Sequence, residues 1–86
     1  MLTSFSQPPD WNSLELKARP RTESLELCLL HEGRLVGFSH ALRHRDRTLR
    51  WIDRPVGLPW AVDLLHEATA EWARTKEVPQ TLRRAA

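Results

Sequence analysis

Hydrophobic and polar residues alternate strictly along Leu14-Glu15-Leu16-Lys17-Ala18, and again along Ser24-Leu25-Glu26-Leu27-Cys28-Leu29. A period of two places every second side chain on one face, the pattern of a strand buried on one side. Pro20 ends the first run, and His31-Glu32-Gly33-Arg34 follows the second. Glycine readily takes the positive φ of a tight hairpin, so Glu32-Gly33 reads as a two-residue turn into a third strand, 35–44. Arg45-Asp46 reads as a second turn, leading into a fourth strand, 48–53. Pro55, Gly57 and Pro59 then mark a loop. From Pro59 to Glu77 the period becomes 3.6, with Ala61, Leu65, Ala68 and Trp72 on one stripe, flanked by Val62, Leu64 and Thr69. Asp63, His66, Glu67, Glu71 and Arg74 fall on the opposite side. The predicted fold is α+β: a four-stranded antiparallel meander (14–18, 24–30, 35–44, 48–53) followed by one amphipathic helix (59–77) laid on one face.

The two turns also predict registers. A turn at Glu32-Gly33 pairs Leu29 with Val36, Leu27 with Phe38 and Leu25 with His40, and a turn at Arg45-Asp46 pairs Leu42 with Leu49 and His40 with Trp51. The expected core face is then Leu14, Leu16, Leu25, Leu27, Leu29, Val36, Phe38, Leu42, Leu49 and Trp51. The opposite face is expected to carry small residues at its centre (Gly37, Ser39, Ala41), with Cys28, Leu30, Leu35 and Ile52 around them and arginines to one side. No second helix remains to cover it, and antiparallel sheets tolerate one wet face.

Residues 1–13 read as an extended arm, with Pro8-Pro9 blocking helix and Phe5 and Trp11 available to pin it or to meet a partner. Residues 14–79 form the single domain, and 80–86 a polar tail. At 86 residues the chain has room for one domain at most, too small to enclose a deep active site readily. A single cysteine, Cys28, rules out an internal disulfide. Small secreted domains usually depend on such staples, so a cytoplasmic location is expected. No apolar run reaches the length of a membrane span, and the first residues lack the charged and apolar regions of a signal peptide.

Charge sharpens the picture. The net charge is +2, but residues 34–54 hold six arginines (34, 43, 45, 47, 50 and 54) against Asp46 and Asp53, a local +4. Residues 1–33 carry Lys17, Arg19 and Arg21 against five acids, a local −2. The excess gathers around one hairpin, at Arg43, Arg45, Arg47, Arg50 and Arg54, with His44 and Trp51 interleaved. Guanidinium groups grip phosphate bidentately and stack on bases, so these five arginines are the candidate nucleic-acid contacts.

Other motifs fail on geometry. His66-Glu67 begins like a zinc-protease helix, but position 70 is Ala where the second ligand belongs. Gly37-Phe38-Ser39-His40-Ala41 resembles a nucleophile elbow but lies mid-strand, without the strand-to-helix turn that chemistry requires. His40 and His44 share a strand face without further convergent ligands, and His40 is expected as a core-edge histidine beside Trp51. No metal or other cofactor and no enzymatic activity are expected.

Four strands followed by Val56-Gly57-Leu58-Pro59-Trp60 leading into Ala61-Val62-Asp63-Leu64-Leu65 resemble the single-stranded-DNA-binding domain of the transcriptional positive-cofactor-four family over residues 14–77. The resemblance implies a dimer and an open basic sheet for unpaired strands. This sequence differs in placing Glu15 and Glu26 on the open face, with no aromatic platform expected there. The functional expectation is a small, non-enzymatic nucleic-acid-binding or regulatory domain that contacts single-stranded DNA or RNA through the arginine hairpin. Its rival is a protein-interaction module, either an accessory subunit or an inhibitor from a phage or mobile element. That module would use the uncovered face (Cys28, Leu30, Leu35, Ile52) or the arm with Phe5 and Trp11. An acidic protein partner would meet the arginine cluster, and a homodimer would form through the uncovered face or by sheet extension at the exposed edge strands.

Overall fold

The fold is described for residues 13–77 in a computed structural model. Four strands, β1 (Leu14–Pro20), β2 (Ser24–His31), β3 (Arg34–Arg43) and β4 (Leu49–Gly57), form one antiparallel sheet in sequential order. One helix, α1 (Pro59–Thr75), lies across a single face. The predicted α+β meander and C-terminal helix are therefore observed. The predicted arm and the polar tail, with Phe5 and Trp11, lie outside the described residues, apart from Ser13.

Helix α1 starts where its proline suits it. Pro59 occupies the first turn, where a missing N–H leaves no hydrogen bond unmade. Trp60, Ala61, Leu64, Leu65, Ala68, Thr69, Trp72 and Ala73 are buried, while Asp63, His66, Glu67, Glu71 and Arg74 are exposed, as the period of 3.6 predicts. The helix ends at Thr75, before the predicted Glu77, because Lys76 turns left-handed (φ 65°) and donates its N–H to the Trp72 carbonyl.

The sheet departs from both predicted registers, at a bulge after the first turn and at the second turn itself. Glu32-Gly33 is the expected two-residue turn, both residues having positive φ (51° and 80°), and it pairs His31 with Arg34 and Leu30 with Leu35. Then β3 takes in one extra residue. Leu29 pairs with Gly37 rather than Val36, so Val36 is a β-bulge. A slip of one residue sends every later side chain to the other face. Gly37, Ser39 and Ala41 are consequently buried beneath α1, and Phe38, His40 and Leu42 point to the open side. This reverses the expectation for those six residues; Val36 itself still packs against the core.

The second turn reverses the slip. Three residues, not two, lie between the bonded pair His44 and Thr48 at this turn, so Arg43 pairs with Leu49 and Ala41 with Trp51. Leu49 and Trp51 thus return to the helix side, where they were expected, for a reason the predicted registers did not contain. Trp51 lies edge-on to His66 of α1, with ring centroids 5.4 Å apart, and His40 is opposite Asp53 instead. Strand β4 takes in further residues near Ile52 and between Asp53 and Val56, which bends this edge strand.

The flipped strand explains two glycines. A Cβ on Gly37 would stand 3.0 Å from the Ala61 Cβ and 3.0 Å from the Leu65 Cδ1, so a bare backbone here lets α1 approach the sheet closely. Gly57, at φ 138°, lies so close to the bulge that a Cβ would overlap the Val36 carbonyl. That carbonyl accepts the N–H of Leu58, the helix N-cap, at 3.0 Å. The bulge, the end of β4 and the start of α1 are therefore one junction. The buried face made this way is Leu-rich on β2, small on β3 and Leu/Ala/Trp on α1.

Two stability predictions follow from that packing. Gly57→Ala combines a disfavoured φ with a backbone clash and is expected to cost at least about 2–3 kcal/mol, against about 1–2 kcal/mol for Gly37→Ala, where the Leu65 side chain can yield and α1 need shift only a few tenths of an ångström at Ala61. Urea unfolding monitored by Trp fluorescence orders the two; equal or negligible losses would contradict the junction. The Ser39 hydroxyl is fully buried with no hydrogen-bond partner among the described residues. Ser39→Ala keeps the Cβ, removes the unsatisfied oxygen, and should raise stability by about 1 kcal/mol in the same assay. A loss of stability would mean that the hydroxyl has a partner.

Candidate functional site

The arginine hairpin is held by its own loop chemistry. Arg47 donates its N–H to the His44 carbonyl at 2.9 Å and adopts φ 71°, and His44 donates to the Thr48 carbonyl at 2.9 Å. This is a three-residue loop, a turn followed by a left-handed residue, in a position where glycine is commoner. Asp46 secures it. Its Oδ1 accepts the Thr48 hydroxyl at 2.6 Å and the Thr48 N–H at 3.1 Å. These two bonds, the hydroxyl's first, hold the Asp46 carboxyl below its usual pKa, with a smaller contribution from His44. The acid among the arginines is thus a structural brace, and Arg45 and Arg47 project from a fixed loop, both exposed.

The five candidate arginines do not form one cluster. Arg45, Arg47 and Arg50 occupy the loop and the adjacent end of β4. Arg43 points to the helix side. It donates to the Trp72 carbonyl at 3.3 Å, and its guanidinium lies 4.9 Å from the centroid of a Trp72 ring. A cation over an indole, bonded to a carbonyl of the last helical turn, ties β3 to the end of α1. Arg54 is exposed further along β4, four residues beyond Arg50.

Other cations join the hairpin from distant parts of the sequence. Arg43 donates its N–H to the Glu23 carbonyl at 2.8 Å, which brings the Arg21–Glu23 connection to this end. Through Trp72, Arg43 brings the last turn of α1, with Arg74 and Lys76. Seven cationic side chains (Arg21, Arg43, Arg45, Arg47, Arg50, Arg74 and Lys76) therefore belong to the segments meeting here, against Glu23, Asp46, Glu71 and Glu77. The linear charge count located the hairpin but missed Arg21, Arg74 and Lys76, because topology rather than sequence proximity assembles them.

The open face has more character than its predicted centre of small residues. The pairings arrange it in rungs across the strands: Glu15–Leu30–Leu35, then Lys17–Cys28–Phe38–Val56, then Arg19–Glu26–His40–Asp53, then Ser24–Leu42–Arg50. Phe38 and His40 are thus the ring-bearing residues at its centre. Leu35, Ile52 and Val56 are more than half exposed, at 60%, 52% and 58%. Arg19 and Glu26 form a loose cross-strand ion pair at 4.0 Å. Toward β1 a groove of about 500 Å³ is lined by Lys17, Ala18, Arg19, Glu26 and Cys28. The Nε2 atom of His40 is buried without a hydrogen-bond partner among the described residues. Among those residues no group of three or more His, Cys, Asp or Glu converges on a metal-sized site, and no helix is long and apolar enough to cross a membrane.

No protein-family model, curated protein or solved structure matches the chain. Functional inference therefore rests on two surfaces, the basic end and the open face.

The Asp46 brace makes a prediction about pH. A carboxyl whose folded pKa is depressed stabilises the fold above its unfolded pKa of about 3.9, and that contribution is lost as pH falls through the lower, folded value. NMR titration should find Asp46 deprotonating below an unstructured aspartate, with the Thr48 amide shift following the same curve. Thr48→Val, which removes the hydroxyl and leaves the amide, should bring the Asp46 midpoint part of the way back. A midpoint at or above the ordinary value would contradict the brace.

Proposed function

We propose that this domain is a small, non-enzymatic nucleic-acid-binding module whose contact surface is the basic end, with Arg45, Arg47 and Arg50 gripping phosphate. The observation that carries this reading is the convergence of three separate segments, the Arg21–Glu23 connection, the 44–48 loop and the end of α1, on one end of the sheet. Arginine suits the task because its planar fork matches phosphate oxygens. The loop suits it because the Asp46–Thr48 bonds fix its shape beforehand, which lowers the entropic cost of binding. Arg43 supports the surface from behind by holding the helix end in place. Arg54 stands apart and would meet only a strand long enough to run along β4.

A second reading, a protein-interaction module, is favoured by the exposed Leu35, Ile52 and Val56 on the open face. It uses a different surface, so the two readings separate experimentally.

Fluorescence anisotropy with a labelled single-stranded oligonucleotide tests the phosphate contacts. Binding at low salt is expected to weaken with added salt, with a log–log slope of about −2 for three contacts on a single strand. Reversing Arg45, Arg47 and Arg50 to Glu together should weaken binding at least about tenfold while the Trp fluorescence of the fold is retained. No binding at low salt, or binding indifferent to that reversal, would remove the nucleic-acid reading and leave the open face as the functional surface.

A further inference from the structure

We infer that Thr48 is a phosphorylation site for an arginine-directed serine/threonine kinase, with Ser24 as a second acceptor, and that phosphate there turns the basic end off. Two hydroxyls at this end carry the same pattern before them. Arg43-His44-Arg45-Asp46-Arg47-Thr48 and Arg19-Pro20-Arg21-Thr22-Glu23-Ser24 each place arginines five and three residues ahead of the hydroxyl. Kinases of this class read that spacing by charge, with carboxylates in the substrate groove. The fold brings the two segments together. Each hydroxyl belongs to the residue that closes a turn: Arg21 donates its N–H to the Ser24 carbonyl at 2.8 Å, and His44 to the Thr48 carbonyl at 2.9 Å. The Arg43 N–H joins the two turns through the Glu23 carbonyl.

Access favours Thr48. It is exposed, as are His44, Arg45, Asp46 and Arg47, whereas Ser24 is half-buried. Its hydroxyl donates to Asp46 at 2.6 Å, so the brace of the loop is also a guard on the acceptor. Opening the loop breaks that bond, the Thr48 N–H bond to Asp46 and two backbone bonds, and it uncovers no core residue. Such a segment opens at low free energy compared with the whole fold. Arg45 is presented in the closed loop, while Arg43 lies against Trp72 and becomes readable only as the loop opens.

In the transfer, the Thr48 Oγ attacks the γ-phosphorus of ATP. A P–O bond forms, the bond to the β,γ-bridging oxygen breaks, and ADP leaves with that electron pair. The hydroxyl proton passes to the catalytic carboxylate of the kinase. The new group adds a charge of about −1.5 to −2. It enters a stretch, residues 43–50, whose four arginines and Asp46 give a local +3. A phosphothreonine cannot donate to Asp46, and two anions then repel where a hydrogen bond had been. Its oxygens also take up the guanidinium groups of Arg45, Arg47 and Arg50. The basic end loses its charge and its fixed loop together. The effect on binding rests on the nucleic-acid reading above; the modification itself does not.

The full chain is incubated with ATP and the catalytic subunit of cyclic-AMP-dependent protein kinase, and tandem mass spectrometry should place phosphate on Thr48. Thr48→Ala should remove that label, and Arg45→Gln should slow its appearance at least about tenfold. Asp46→Ala, which releases the loop, should speed it. Fluorescence anisotropy should show the Thr48-phosphorylated chain binding the single-stranded oligonucleotide at least about tenfold more weakly than the unmodified chain. Absence of phosphate on Thr48 in both the wild-type chain and Asp46→Ala overturns the proposal. A phosphorylated chain that binds as tightly as the unmodified one overturns it equally. Phosphate on Thr48 of a chain whose unmodified form binds no oligonucleotide supports the modification site and removes the nucleic-acid reading instead.

Discussion

The contact between α1 and β3 governs this molecule. The helix can lie close to the sheet only because the strand beneath it offers Gly37, Ser39 and Ala41, and it does so only because Val36 bulges. A sheet face of Phe38, His40 and Leu42 in the same place would hold the helix away and bury an imidazole. The bulge is therefore a packing device. Gly57 accommodates it, the Val36 carbonyl binds the helix N-cap, and Pro59 begins the helix immediately afterwards. One extra residue thus sets the depth of the core, the start of the helix and the chemistry of the other side of the sheet.

That other side is the consequence with functional weight. Side chains displaced from under the helix reappear on the open face, so Phe38 and Leu42 join Cys28 and Leu30 as an apolar centre with charged rungs beside it. At one end of the same sheet, Arg43 links the Glu23 carbonyl to the Trp72 carbonyl and gathers cations from three segments. The molecule presents two surfaces of different character. One is broad, with an apolar centre and charged rungs beside it; the other is narrow and cationic.

Much of this was legible in the residues. Strict alternation located β1 and β2 and their buried leucines, the change of period located α1 and its outward residues, and Glu32-Gly33 marked the first turn. The strand β3 was not legible because its residues are ambiguous: both of its alternating sets include residues that can be buried. Choosing Phe38 and Leu42 for the core follows hydrophobicity alone, whereas the packed structure needs small volume beneath a helix that already supplies Trp60 and Trp72. The three-residue loop was equally hidden, since Arg47 takes the left-handed position usually given to glycine. These two departures compensate, which is why Leu49 and Trp51 were placed correctly. For the site, the charge count found Arg45, Arg47 and Arg50, but only the backbone bonds of Arg43 reveal its structural role and the cations that accompany the hairpin.

The central claim is the direction of β3, and proton–proton NOEs test it directly. The bulge predicts strong contacts from the Gly37 Hα protons to the Ala61 and Leu65 methyls, and from the Phe38 ring to Cys28 and Val56. Contacts from the Phe38 ring to Leu65 or Ala68, with Gly37 remote from the helix, would return β3 to the unbulged register and contradict the account.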